Sequence, residues 1–454
     1  MKDNKGLALL LDLYELTMAQ CYFHYKKDAW ATFDLFVRTL PQSRSYLMAA
    51  GLEDIANYVR NLRFNYEEIS YLRKQNLFSR DFMEYLKKFR FKGDIWAIPE
   101  GEIFFADEPV LRVTAPVIEA QIIESFLLNT INLQTMIASK AARVISASAG
   151  KGVYDFSLRR TQGSDAAIKA ARSSYIAGFN GTSNVLAGKL YRIPIAGTMA
   201  HSFVMAFKQE LDSFLAYSST FPDKTILLVD TYNTRKGIEN AVKIGRYLKE
   251  KGCRLLGIRL DSGDIVAWSK LARRMLDRAS LSFVKIFASG NLDEFRIREL
   301  LGLGAKVDNF GVGTHMGTSI DAPCLDVIYK ISEITDENGK FLPTMKLSKA
   351  KVTYPGRKQV FRILDKRQRF VKDVLGLEKE RIKGRPLLIK VIDKGKLVYK
   401  LPTLNKIRDF ARVNLARLPA ALKEVYPKYK YPVVISKGLR KLRRNLSYQL
   451  ERRQ

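Results

Sequence analysis

Cysteine and long apolar runs are scarce in this chain of 454 residues. Its three cysteines, Cys21, Cys253 and Cys324, are far apart and odd in number. That pattern argues against a disulfide framework and a cysteine-based zinc site, and it favours a reducing compartment, the cytoplasm. No run of about 18 uncharged apolar residues occurs, so we expect no membrane-spanning helix. Asp12 and Glu15 interrupt the apolar N-terminal stretch, which also lacks a small-residue cleavage site, so we expect no secretory signal.

Acidic residues are also few relative to basic ones. The chain has 77 Lys and Arg against 46 Asp and Glu, a formal net charge of +31. Residues 346–454 hold 32 of the basic residues and 8 of the acidic ones, which accounts for +24 of the total. Such a basic segment can bind nucleic acid or anionic lipid, or it can be a solvated surface that steers polyphosphate substrates. We favour the solvated surface, because no nucleic-acid-binding motif accompanies the charge.

The length exceeds one ordinary domain, and the 47% apolar content allows a large core. We predict an N-terminal α/β domain at residues 1–140, a βα domain at 141–345 and a basic C-terminal segment at 346–454. Within the first domain, residues 43–64 are predicted to be helical. From about residue 151 strands and helices alternate, which predicts parallel strands joined by right-handed crossovers. A closed or partly closed barrel fits this alternation as well as an open sheet.

Polar residues and glycines recur where the predicted strands end. They are Ser157, Arg159, Arg160, His201, Asp230, Asn233, Arg259, Asp261, Asp264, Ser289, Asn291, Gly311, Gly313 and Thr314. In a βα barrel the carboxyl ends of the strands form the active-site face. Arginines and carboxylates there suit a phosphorylated sugar and a divalent metal, and small-residue turns can cradle a phosphate. The pattern does not identify the metal ligands.

His201 is one of three histidines and follows a short apolar stretch, residues 193–197, predicted to be a strand. Thr198 is the predicted N-cap of a helix whose apolar periodicity begins at Ser202 and continues to Leu215. A histidine near a helix N-terminus can be a nucleophile or a phosphate carrier. It can equally be a structural histidine, and the local pattern leaves both interpretations open.

Five stretches are specific for a known family. They are Phe156-Ser-Leu-Arg-Arg160, Gly197-Thr-Met-Ala-His-Ser202, Asp230-Thr-Tyr-Asn-Thr234, Arg259-Leu-Asp-Ser-Gly-Asp264 and Asn309-Phe-Gly-Val-Gly-Thr314. Through them the chain resembles the nicotinate phosphoribosyltransferase family. The likeness extends over nearly the whole chain, from the Asp12–Met18 stretch to the Tyr431–Val433 stretch.

The resemblance implies a type II phosphoribosyltransferase fold: an irregular βα barrel beside an α/β domain built from N- and C-terminal segments. It also implies a homodimer with sites shared across the interface. The implied reaction joins nicotinate to phosphoribosyl diphosphate, giving nicotinate mononucleotide and diphosphate in the first step of NAD salvage from nicotinate. Hydrolysis of ATP is coupled to it, with Mg²⁺ as the cofactor.

The resemblance further implies roles for single residues. His201 is the residue phosphorylated by ATP, and Asp261 lies near the ribose and the metal. Substrate binding is implied for Tyr14 (from the partner subunit), Phe156, Arg159, Ser183 and Arg259, and phosphate binding for Ser289, Gly290, Gly311 and Gly313. At the position of Ser183, nicotinamide-using relatives carry an aspartate, so the serine favours nicotinate. Two alternatives stay open: a nicotinamide-specific enzyme, and a nucleic-acid-binding protein on this scaffold.

Overall fold

The computed structural model describes residues 7–347 and 353–452, which form two compact units. The first unit combines the described residues of Met1–Met136, Cys324–Leu422 and Pro427–Gln454. The second consists of Ile137–Pro323 and Lys423–Tyr426.

The helices, in chain order, are α1 (Leu13–Tyr25), α2 (Leu52–Asn61), α3 (Tyr66–Lys74), α4 (Arg80–Lys87), α5 (Val117–Ile122), α6 (Glu124–Ala147), α7 (Ser164–Ala177), α8 (Val185–Tyr191), α9 (His201–Met205), α10 (Glu210–Thr220), α11 (Thr234–Glu250), α12 (Ile265–Arg278), α13 (Glu294–Gly302), α14 (Thr314–Gly317), α15 (Leu404–Arg417) and α16 (Lys437–Glu451). Within the described ranges, none is both long and apolar enough to cross a membrane.

The strands are β1 (Trp30–Val37), β2 (Leu47–Met48), β3 (Asp94–Ala97), β4 (Ile103–Phe104), β5 (Pro109–Pro116), β6 (Gly152–Asp155), β7 (Gly181–Thr182), β8 (Ile226–Leu228), β9 (Gly257–Leu260), β10 (Lys285–Ala288), β11 (Asn309–Val312), β12 (Val327–Thr335), β13 (Phe341–Pro343), β14 (Lys358–Leu364), β15 (Phe370–Leu377), β16 (Arg385–Pro386), β17 (Ile389–Asp393), β18 (Lys396–Leu397) and β19 (Val433–Ile435).

A seven-stranded sheet, ordered β13-β12-β1-β5-β3-β17-β18, is the core of the first unit. Its pairs are antiparallel, and β1, an interior strand, is buried over all but its first residue. Asp34 on this strand is buried and pairs with Lys358 Nζ at 2.7 Å, so the interior charge is neutralised. A four-stranded sheet, β16-β14-β15-β19, and the short β2-β4 pair complete the strands of this unit.

The predicted helix over residues 43–64 is wrong in its first half. Leu47–Met48 is a strand paired with Ile103–Phe104, and the helix begins only at Leu52. Gly51 precedes it with φ 108°, a left-handed conformation that ends any helix arriving from the N-terminal side. The apolar run before Gly51 is buried on all sides, so its composition did not distinguish a strand from a helix.

A six-stranded parallel sheet, ordered β7-β6-β11-β10-β9-β8, organises the second unit. Helix α11 has one apolar face, since it buries Ile238, Ala241, Ile244 and Leu248 at helical spacing. The predicted α/β class with parallel strands is therefore confirmed. Because parallel strands end at the same edge, the loops after all six strands begin on one side of the sheet.

Side-chain caps start several helices on that side. Asn233, Asp264 and Asp293 each accept a hydrogen bond from the backbone N–H three residues later, at the start of α11, α12 and α13. Two of these, Asn233 and Asp264, belong to the polar set predicted at the strand ends. Their visible role is to cap helices.

Candidate active site

A cleft of about 300 Å³ opens at the carboxyl edge of the parallel sheet. Four of the five residues predicted to bind substrate line it: Phe156, Arg159, Ser183 and Arg259. They come from the loops after β6 and β7 and from β9 itself. The remaining wall includes Leu158 and residues 197–200, which the strand-end pattern did not assign to substrate binding.

Asp155, the last residue of β6, fixes the two loops that carry Phe156 and Ser183. Its buried carboxylate accepts hydrogen bonds from the backbone N–H of Ser157 at 2.8 Å and from Thr182 Oγ1 at 2.7 Å. Burial raises the pKa of Asp155, and these hydrogen bonds oppose the rise. One carboxylate thus joins the ends of neighbouring strands and orients the ring of Phe156 relative to the hydroxyl of Ser183.

Arg259 places a guanidinium group in the cleft wall. Its Nη1 donates a hydrogen bond to Thr198 Oγ1 at 2.7 Å, and its Nε is buried without a hydrogen-bond partner in the described part of the chain. Burial lowers the pKa of Arg259, and the positive charge of Arg159 adds to that effect, whereas Asp261 and Asp230 oppose it. Two arginines facing one small cleft repel each other until an anion lies between them, so the cleft suits an anionic ligand.

This contact also corrects a prediction, because Thr198 does not cap a helix. The N-cap of α9 is Ala200, which makes no side-chain capping bond. The predicted strand at 193–197 is reduced to a single bridge between Ile195 and Thr182. The predicted continuous helix after Ser202 is broken between α9 and α10.

His201 is the first residue of α9 and is half-exposed. Its Nδ1 lies 3.1 Å from Thr231 Oγ1, and its Nε2 lies 3.8 Å from Asp261 Oδ2. Thr231 and Asp261 follow β8 and β9, so both partners stand at the same sheet edge as the cleft. The imidazole is oriented through one nitrogen and presents the other to a carboxylate.

Asp230 and Ser289 hold Asp261 in place. Asp230 Oδ2 accepts hydrogen bonds from the backbone N–H groups of Asp261 and Ser262, at 2.8 and 2.7 Å, and from Ser262 Oγ at 2.7 Å. Ser289 Oγ donates to Asp261 Oδ1 at 2.5 Å. The other oxygen of Asp230, Oδ1, is buried without a partner among the described residues. Asp261 is therefore a positioned carboxylate and not the cap of its helix, which is Asp264.

Glycine is required at two of the predicted phosphate-binding positions. Gly290 has φ 91°, and a Cβ there would lie 2.0 Å from the carbonyl oxygen of Asp261. A Cβ on Gly311 would lie 2.4 Å from Cε2 of Phe156. The first glycine lets the Ser289 turn approach the Asp261 loop, and the second leaves room for the ring that lines the cleft.

Gly313 and Tyr14 complete the set of predicted site residues. Gly313 directly precedes α14, and a Cβ there would lie 2.9 Å from the carbonyl oxygen of Phe156. Tyr14 is in the first unit, exposed on α1. His315 was given no role from the sequence. It lies in the second unit, where its Nδ1 is 3.1 Å from Asp293 Oδ2 in a second cleft. No sequence motif marks that pair, because its members follow different strands.

Family models account for most of the chain in three consecutive matches. The nicotinate phosphoribosyltransferase N-terminal domain matches residues 9–132, the nicotinate phosphoribosyltransferase family model residues 152–376, and the C-terminal domain residues 381–443. The chain belongs to the nicotinate phosphoribosyltransferase family. The family inferred from the five sequence stretches is thereby confirmed.

Relatives within the nicotinate phosphoribosyltransferase family are similar over nearly their full lengths. The chain is 46% identical to Mycobacterium tuberculosis nicotinate phosphoribosyltransferase pncB2, covering 94% of this chain and 91% of that one. It is 39% identical to the Bacillus subtilis nicotinate phosphoribosyltransferase, covering 96% and 94%. The crystal structure of human nicotinic acid phosphoribosyltransferase superimposes with a TM-score of 0.85 at 28% identity, covering 96% and 99%. The chain is thus a member of an enzyme family.

Proposed function

We propose that this protein joins nicotinate to phosphoribosyl diphosphate, forming nicotinate mononucleotide and releasing diphosphate. The main support, beside membership of the family, is the lining of one cleft. Phe156, Arg159, Ser183 and Arg259 line it, beside the His201–Asp261 pair. The aromatic ring offers a face for the pyridine, and the two guanidinium groups offer a counter-charge for its carboxylate. This reaction supplies NAD from recovered nicotinate.

The chemistry is a displacement at the first carbon of the ribose. The pyridine nitrogen forms a bond to that carbon as the bond to the diphosphate oxygen breaks, and positive charge develops on the sugar. The carboxylate of Asp261 stabilises that charge, while the turns at Ser289-Gly290 and Gly311–Gly313 hold the 5′-phosphate through backbone N–H groups. The protein contributes mainly orientation of two bound substrates.

The residues present also fit Mg²⁺ bound together with the diphosphate. Among residues 7–347 and 353–452, no cluster of three or more His, Cys, Asp or Glu side chains is arranged to hold a metal ion. Asp261 and the unpartnered Oδ1 of Asp230 are hard oxygen donors at the sheet edge, and an ion of this kind takes its remaining ligands from phosphate and water. Mg²⁺ would neutralise charge on the leaving diphosphate.

His201 is the residue we propose to couple ATP hydrolysis to the transfer. Its Nε2 attacks the γ-phosphorus of ATP, the bond to the bridging oxygen breaks, and ADP leaves. Water later cleaves the phosphorus–nitrogen bond, releasing phosphate and restoring the imidazole. Hydrogen bonding of Nδ1–H to the hydroxyl of Thr231 would keep the lone pair on Nε2, where the side chain faces Asp261.

We propose further that the parallel sheet of the second unit closes as an irregular βα barrel and that the basic segment at 346–454 packs with the N-terminal domain. The working form is a cytoplasmic homodimer in which Tyr14 of the partner subunit stacks on the pyridine. Ser183 discriminates against nicotinamide, because a neutral hydroxyl can donate to the nicotinate carboxylate where an aspartate would repel it.

Product analysis tests the proposed activity. The purified protein is incubated with nicotinate, phosphoribosyl diphosphate and MgCl₂, with and without ATP. We expect nicotinate mononucleotide and diphosphate in equal amounts, with more product at equilibrium when ATP is present. Absence of the mononucleotide under all conditions would contradict the proposal.

A further inference from the structure

Two loops of the proposed phosphate site begin on neighbouring strands and then separate. Strands β10 and β11 are paired at Phe287–Asn309 and Ala288–Phe310. Beyond these residues, the β10 loop carries Gly290 and the β11 loop carries Gly313. Backbone pairing between the strands therefore ends before the two turns that we propose hold the phosphate.

Asp293 and His315 connect these loops beyond the strand ends. His315 Nδ1 lies 3.1 Å from Asp293 Oδ2, and both side chains are mostly buried. The second oxygen of Asp293, Oδ1, accepts a hydrogen bond from the backbone N–H of Arg296 at 2.9 Å and caps α13. One carboxylate thus fixes both the start of a helix and the distance to the other loop.

The backbone of the β10 loop has a conformation that the Asp293–His315 contact can help to hold. Gly290 and Asn291 both have positive φ, at 91° and 49°. Consecutive left-handed residues are not favoured by the chain itself and persist only where the surroundings hold them. The same turn, together with Asp293 and His315, lines a cleft of about 570 Å³. The pair therefore forms part of the wall next to the proposed phosphate turn.

A deeper contact joins the same two segments independently. Lys140 is fully buried and pairs with Glu294 Oε2 at 2.7 Å and with Asp321 Oδ1 at 2.8 Å. Glu294 starts α13 and Asp321 follows α14. This buried network joins α13 to the segment after α14 without Asp293 or His315, so we expect the fold to persist when the outer contact is removed.

We propose that His315 and Asp293 are positioning residues that hold the Gly290 and Gly313 turns at the spacing required by the phosphate of phosphoribosyl diphosphate. The inference rests on the proposed function. His315 acts through Asp293, and it affects the binding of phosphoribosyl diphosphate but not the binding of nicotinate.

Kinetics of three variants test the proposal: His315→Ala, Asp293→Asn and the double variant. Asparagine preserves a capping acceptor for α13 and removes the charge that faces His315. We expect KM for phosphoribosyl diphosphate to rise about tenfold in either single variant, with KM for nicotinate changed less than about twofold. The double variant should be no worse than the singles, because they remove the same contact. His315→Gln, which can still donate to Asp293, should recover part of the affinity and replaces His315→Ala if that variant does not fold.

A matched control is available at the opposite ends of the same strands. Lys285 Nζ lies 3.5 Å from Asp308 Oδ1, joining β10 to the residue before β11. Lys285→Gln should leave both KM values unchanged. Any of three results would overturn the proposal. His315→Ala could change the KM values no more than the control does, the effects could be additive in the double variant, or KM for nicotinate could rise as much as KM for phosphoribosyl diphosphate.

Calorimetric titration with phosphoribosyl diphosphate separates this inference from the proposed function. If wild type makes no nicotinate mononucleotide yet binds phosphoribosyl diphosphate, the function fails and the variants still decide the role of the pair. If the wild-type protein makes the product, and the variants bind phosphoribosyl diphosphate as tightly as wild type, then Asp293 and His315 have no positioning role.

Discussion

His201 Nε2 lies 3.8 Å from Asp261 Oδ2 at the carboxyl edge of the parallel sheet. The opposite ring nitrogen is held by Thr231, and Asp261 is itself held by the hydroxyl of Ser289. The imidazole is therefore oriented while its Nε2 faces a carboxylate. A phosphoryl group on that nitrogen would lie beside the residue proposed to stabilise the sugar.

Replacing His201 with asparagine should abolish acid-labile phosphate incorporation from ATP, because the amide cannot serve as the phosphoryl acceptor. Transfer without ATP should persist at a reduced level, since the cleft residues remain. Labelling with γ-phosphate-labelled ATP, followed by acid treatment, measures the effect. His24→Asn, on helix α1 of the first unit, is the control and should label like wild type. Undiminished labelling of His201→Asn would exclude this histidine as the acceptor.

Arg259→Gln should reduce kcat/KM for nicotinate by about tenfold to a hundredfold, the usual range for a charged hydrogen bond to a bound anion. Arg254 is the matched control, since it precedes the same strand and stacks on Phe283 outside the cleft. Arg254→Gln should retain wild-type kinetics. Equal loss in the two variants would show that the effect of Arg259 is not one of ligand binding.

Ser183→Asp should weaken nicotinate use by about tenfold or more, because a second carboxylate in the cleft repels the substrate carboxylate. Some use of nicotinamide can appear, since the new carboxylate accepts a hydrogen bond from the carboxamide. Ser183→Asn, neutral and of similar size to aspartate, separates charge from bulk. The charge argument predicts that it retains more nicotinate activity than Ser183→Asp, and the reverse order would refute it.

Mixing inactive Tyr14→Ala and Arg159→Ala chains tests the shared site. If each site takes Tyr14 from one subunit and Arg159 from the other, every mixed dimer has one intact site. Random exchange should then restore about one quarter of the wild-type activity. Activity is measured after subunit exchange has been shown by tagged pull-down. Complete exchange without recovery would contradict the sharing of sites.

Glu15, next to Tyr14 on α1, gives a prediction about pH. Burial raises the pKa of Glu15 to about 8, with Glu124 adding to the rise, although Ser125 donates hydrogen bonds to the carboxylate. The folded state therefore holds a proton that the unfolded state releases above its ordinary pKa, so stability falls as pH rises toward 8. Glu15→Gln should remove this loss and raise the melting temperature at pH 8 by about 2–4 °C, with little change near pH 4.5. An equal shift at both pH values would contradict the ionisation argument.

The arrangement of the cleft could be predicted from sequence in part. The alternation of strands and helices after residue 151 fixes parallel pairing, and parallel pairing brings the ends of β6, β7 and β9 to one edge. Phe156 and Ser183 lie close together for this reason alone. Their exact orientation depends on Asp155, whose buried carboxylate joins both loops.

Other features depended on contacts that local patterns do not encode. Thr198 has the composition of an N-cap, yet its hydroxyl accepts a hydrogen bond from Arg259, 61 residues away. The His315–Asp293 contact joins loops from two strands, and neither loop carries a signal for the other. Such side-chain choices are decided by tertiary packing, which overrides local preference.

The central claim is tested most directly by a comparison of three substrates. Wild-type protein is incubated separately with nicotinate, nicotinamide or quinolinate, each time with phosphoribosyl diphosphate, ATP and Mg²⁺. Chromatography then quantifies the mononucleotide formed from each pyridine. The two arginines of the cleft and the neutral Ser183 predict nicotinate mononucleotide as the main product, at least about a hundredfold over the nicotinamide product. Equal use of nicotinamide, or product from quinolinate alone, would contradict the central claim.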